Sequence, residues 1–169
     1  MKMRKKRLRQ AVPIAAAALL LALLADINGY YGHRVPGGAG ELFRARLLET
    51  LGQGGQVRLS ELTDFDWDRM AVVPPYTTWE QMEEVVGAEW TNASTYPGYM
   101  LLRMLPDTCT MCHEGMHRLV FAIGSRVLAD VSLSRTDFDF TGLSGITRME
   151  EPIVGTESAG SPLVVVIQP

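Results

Sequence analysis

The sequence predicts an α+β protein, a mostly antiparallel sheet with two helices packed on it, preceded by an N-terminal hydrophobic helix. Three observations lead there. A basic leader runs into an uncharged apolar stretch, Ala11–Ala25. Two amphipathic helical stripes follow at 41–52 and 79–86, each ended by a glycine, Gly52 and Gly87. Short apolar runs separated by turn residues then recur to the end of the chain.

The leader explains an asymmetry of charge. Six of the sixteen basic residues (Lys2, Arg4, Lys5, Lys6, Arg7, Arg9) lie in the first nine positions, and acidic residues begin only at Asp26. The remainder holds ten basic against nineteen acidic residues, a net charge of −9. A domain that acidic repels a phosphate backbone, which sets nucleic acid aside as a partner. A positive end followed by an apolar run is the pattern of an export signal. The run is shorter than the about 20 residues of a comfortable membrane span, but Gln10, Ile27 and Tyr30 can flank it at the interface. Leu23-Leu24-Ala25 lacks the usual small residue three places before a cut, which favours an uncleaved anchor. No cysteine follows the run to carry a lipid, and no Arg-Arg pair marks the twin-arginine route. Residues 1–27 are thus expected to be a signal peptide or membrane anchor, 28–40 a flexible Gly/Pro-rich spacer, and 41–169 a single α+β domain. The partner this implies is the membrane, through the N-terminal segment, and no protein partner is named. The domain would face the periplasm or cell exterior from the inner membrane, or be secreted if the leader is cut.

Within the domain, Leu42, Phe43, Leu47, Leu48 and Leu51 form the first helical stripe. Gln56–Leu59 is a short strand with Val57 and Leu59 on one face. Asp64, Phe65, Asp66, Trp67 and Asp68 alternate charge with aromatic, the period of an extended segment with one buried face. Met70–Val73 is a buried strand that Pro74-Pro75 must end. Thr77 or Thr78 caps the next helix, and Thr77 with Glu80 fits a capping box. That helix buries Trp79, Met82, Val85 and Val86 and stops at Gly87. Trp90 anchors an irregular stretch, and Tyr99–Leu105 is expected as a strand. Pro106–Gly115 is a polar loop. Arg118–Ile123 and Val127–Leu133 read as a hairpin turned by Gly124-Ser125. Ser134–Gly145 is a loop carrying Asp137-Phe138-Asp139-Phe140, and Leu163–Ile167 is the last strand.

From about Arg58 to Phe140 the chain resembles a family of small exported or lipid-anchored bacterial proteins. The resemblance is carried by Leu59-Ser60-Glu61-Leu62-Thr63-Asp64-Phe65-Asp66-Trp67-Asp68, then Pro75-Tyr76-Thr77 and Gly87. Leu119-Val120-Phe121, Val127 and Asp137-Phe138 continue it. It covers roughly half the chain and implies an envelope location and one α+β domain, without implying an activity. Two departures stand out: this chain lacks the lipid-anchor cysteine, and it carries a cysteine-bearing loop foreign to the pattern.

That loop holds the one chemical motif. Cys109, Cys112 and His113, in CTMCH, match the C-x-x-C-H attachment of c-type haem, where two thiols add across vinyl groups and the histidine ligates iron. Met116 and His117 lie too close to serve the opposite face of the ring, whereas Met149 could. The plainer reading is a Cys109–Cys112 disulfide in an oxidising compartment, which needs no cofactor. A redox-active dithiol is a third reading. Cys109, Cys112, His113 and His117 are cramped as a zinc set, and no metal site is expected. Asp64, Asp66 and Asp68 open like a calcium loop, but Arg69 stands where Gly is needed and Pro75 where Glu is needed. No serine sits in a nucleophile frame, no glycine loop precedes a helix to cradle phosphate, and Glu83-Glu84 is a helix's wet face. The expectation is an exported or inner-membrane-anchored envelope protein that works by binding or structure, with no catalytic residues. The alternative is a membrane-tethered c-type haem electron-transfer protein through Cys109, Cys112 and His113.

Overall fold

The chain begins as one long helix. In the computed structural model, which describes residues 2–35, 37–104, 114–140, 142–143, 146–151, 153–156 and 164–167, α1 spans Lys2–His33. From Pro13 onward it is long and apolar enough to cross a membrane. The segment expected as a flexible spacer departs from that expectation, because residues 28–33 are the last turns of this helix. Tyr30 explains the difference. It is 2% exposed, and its hydroxyl donates to the Ala93 carbonyl at 3.0 Å, so packing and a long-range hydrogen bond override the glycines beside it. The chain stays tied beyond the helix: Thr91 N–H donates to His33 O (2.9 Å) and Val35 N–H to Thr91 O (3.1 Å).

Helix α2, Ala39–Gly52, buries Phe43, Leu47 and Leu51, an i, i+4, i+8 stripe. The turn after it needs glycine, since a Cβ on Gly55 would stand 2.7 Å from the Thr50 carbonyl oxygen. Strand β1 (Gln56–Arg58) leads into a single helical turn, α3 (Leu59–Leu62). Strand β2 (Arg69–Val73) ends at the prolines as expected. Helix α4 (Trp79–Val86) starts one residue later than the capping-box expectation. Thr78 Oγ1 accepts from Gln81 N–H while Gln81 Oε1 accepts from Thr78 N–H, and Thr77 instead turns its hydroxyl onto Pro74 O at 2.7 Å. Gly87 closes the helix in the left-handed conformation, φ 69°.

Tyr99–Leu105, expected as a strand, is corrected by helix α5, Tyr96–Met104. Thr95 caps it, its Oγ1 accepting from Gly98 N–H, and Pro97 sits in the first turn where its missing N–H costs nothing. Strands β3 (Met116–Ile123) and β4 (Arg126–Ser134) form the expected hairpin about Gly124, φ 55°. Asp68 Oδ2 holds that turn by accepting from Gly124 N–H at 2.7 Å. Short strands β5 (Ile146–Thr147), β6 (Ile153–Thr156) and β7 (Val164–Ile167) complete two antiparallel sheets, ordered β1-β6-β7 and β4-β3-β2-β5. The architecture is α+β.

The larger sheet is covered on both sides. On one, α2 and the smaller sheet enclose Leu119, Phe121, Val131 and Leu133. Phe121 is the hub, with Phe43, Phe65 and Trp67 edge-on to it at 4.8–5.7 Å between centroids. On the other, Met82, Val86 and Trp90 cover Ala71, Val73, Val120 and Val127.

Candidate functional site

Cys109, Cys112 and His113 lie outside the described residues. His117 is described: it stands in β3, fully buried, its ring 5.8 Å from that of Phe140. Neither ring nitrogen has a hydrogen-bond partner among the described residues. Burial pushes its pKa below the ordinary histidine value; Asp139 pulls the other way and Arg135 adds to the lowering. Met149 is almost wholly exposed on a short 3-10 turn at 148–150. The Asp64/Asp66/Asp68 run is structural: Trp67 is buried, Phe65 half-buried, and Asp68 serves the β3–β4 turn. Glu83 accepts from Trp79 Nε1 at 2.7 Å, and partial burial raises its pKa. Among the described residues no group of three or more His, Cys, Asp or Glu could hold a metal ion.

The polar constellation that the fold does assemble is one the sequence reading passed over. Asp130, midway along β4, has a side chain only 1% exposed. Its Oδ2 accepts from Trp90 Nε1 (2.9 Å), Asn92 Nδ2 (2.6 Å) and Arg118 Nη1 (3.0 Å). Oδ1 and the Arg118 Nε are buried without partners among the described residues. The signal for this pair was a lone Asp within VLADVSL and a lone Arg within HRLVF, each a charge inside an apolar strand. Beside it runs a cleft of about 310 Å³ between the start of α2 and β4, lined among others by Glu41, Arg44, Asn92, Asp130 and Ser132. Its size lies at the low end for small-ligand pockets. A guanidinium cannot accept a proton and the carboxylate oxygen facing it already takes three donors, so the arrangement orients and holds; it offers no nucleophile beside a base.

A second polar cluster ties α1 to α5. Asp26 accepts from Tyr96 Oη (2.7 Å) and from Arg103 Nη1 (2.9 Å). Tyr30, Tyr31, Tyr96 and Tyr99 gather around it, with Tyr30 centred 5.1–5.9 Å from the other three rings. No protein-family model, no curated protein and no solved structure matches this chain.

Proposed function

We propose that this chain is a membrane-anchored envelope protein whose α+β domain is held outside the inner membrane by α1 and works by binding or structure, not catalysis. The observation that carries the reading is the contrast along one helix. Leu19, Leu20 and Leu21 are more than half exposed, while Tyr30, three turns on, is 2% exposed and locked to Ala93. A bare apolar helix fixed to the body of the domain leaves a large apolar surface uncovered in water, whereas a bilayer covers it. The basic leader supports retention of the N-terminus in the cytoplasm. The resemblance of 58–140 to small exported bacterial proteins points the same way.

The test is fractionation with protease protection. The full chain should stay in the membrane pellet after an alkaline wash, and protease added to spheroplasts should destroy the domain. Release by the wash would sink the anchor, and a domain cut only after lysis would sink the outward orientation. In that compartment the Cys109–Cys112 pair is expected as a disulfide. Intact mass with and without alkylation reads it, and an added mass of haem would replace this reading with the cytochrome one.

A further inference from the structure

We propose that α5 is a membrane-interface foot, Leu101, Leu102 and Met104 inserting into the acyl region of the same bilayer that α1 crosses; this rests on the anchoring reading. The three side chains are 60%, 59% and 73% exposed, and α5 buries no residue at all in the protein. Helical spacing spreads them over the side of α5 away from Tyr96, Tyr99 and Arg103, the residues that meet α1.

The depth of α5 follows from the length of the tether. A bilayer core of about 30 Å takes about 20 helical residues. Counted from Ala11, where charge ends, that length reaches Tyr30 and passes Asp26. Asp26 therefore lies inside the acyl boundary and needs a partner there. Arg103 and Tyr96 supply it, at 2.9 and 2.7 Å, and so share its depth. Leu102 and Met104 flank Arg103 and are carried to the same level. The tyrosine cluster marks that level as an interface, the zone in which aromatic rings with a polar tip are enriched. Arg103, the one charged residue of α5, is matched by Asp26. Insertion is thus driven by apolar burial and does not depend on anionic lipid.

The experiment uses the full chain in phosphatidylcholine vesicles with brominated acyl chains, carrying either Leu20→Trp or Leu102→Trp, with the native tryptophan signal subtracted. Leu102 is exposed, so the larger ring is accommodated. The expected result is a blue shift and bromine quenching of both reporters, unchanged when phosphatidylglycerol is added. Quenching at position 20 but not at 102 overturns the foot and leaves the anchor standing. Quenching at neither overturns both. Quenching at 102 only with anionic lipid overturns apolar insertion in favour of charge attraction. A blue-shifted, unquenched reporter at 102 together with cross-linked dimers assigns the face to a second copy of the chain instead.

Discussion

Helices α2 and α5 are both rich in large apolar residues, yet the fold treats them oppositely. In α2 the apolar residues recur at one angular position, and Phe43, Leu47 and Leu51 vanish beneath β4 and the smaller sheet. In α5 the apolar residues Leu101, Leu102 and Met104 spread over the side away from α1, and none of them is buried. The stripe of α2 is satisfied by one protein surface, whereas the outer side of α5 meets none among the described residues. The same division separates two Asp–Arg pairs of almost equal length. Asp130–Arg118, at 3.0 Å, is sunk in the sheet with side chains 1% and 14% exposed; Asp26–Arg103, at 2.9 Å, joins α1 to α5 with side chains 32% and 59% exposed. One pair is enclosed by the sheet; the other lies at the edge of the protein.

The largest effect that would separate the two regions comes from their ion pairs. Asp130→Ala strands the Arg118 charge and unpairs Trp90 and Asn92, and should cost about 3–5 kcal/mol in a denaturant titration of the full chain in micelles. Asp26→Asn keeps an acceptor oxygen for Tyr96 and Arg103 and should cost less, about 1 kcal/mol, in the same assay. Equal losses would erase the distinction. Between them falls Leu47→Ala, which empties a fully buried site under β4 and should cost about 3 kcal/mol.

Acid should attack the sheet as well, through His117. Above about pH 7.5 its ring is neutral in both folded and unfolded chains and the two states differ by no proton there. Below that, the unfolded chain takes up a proton that the buried ring resists, so stability falls with pH down to the depressed folded pKa. The slope cannot exceed about 1.4 kcal/mol per pH unit from one group. His117→Leu should flatten the melting temperature between about pH 7 and 5. A slope that survives the substitution belongs to other groups.

What could be read from the sequence divides along the same line. The β3–β4 hairpin, α2, α4 and the buried Trp90 were legible because local pattern and tertiary burial agree there: a continuous apolar run in β3, alternation along β4, a stripe in α2, Gly87 and Gly124 in left-handed positions. Helix α5 was not, because YMLLRML is a short apolar run that fits helix and strand alike; Thr95 and Pro97 were the cues that decide it. The docking of Tyr30 on Ala93 spans 63 residues, and no local rule reaches that far. Asp130 was hidden for a related reason, since one charge inside a strand does not name its partner on the neighbouring strand. Strand β6, four residues with a glycine, owes its existence to pairing between β1 and β7.

The smallest expected effect is the one that most sharpens the contrast. Leu102→Ser removes as large an apolar group as Leu47→Ala does, and on composition alone the two should cost the same. Leu102 is 59% exposed, so little burial within the protein is lost, and the helix propensity difference is a few tenths of a kcal/mol. The unfolding free energy in micelles should therefore stay within about 0.5 kcal/mol of the parent. A loss comparable to that of Leu47→Ala would mean that α5 packs against the body in solution, and the two helices would then differ in sequence pattern alone. An unchanged unfolding curve would leave Leu102 without a role in the fold, a large apolar side chain kept for a surface outside the chain.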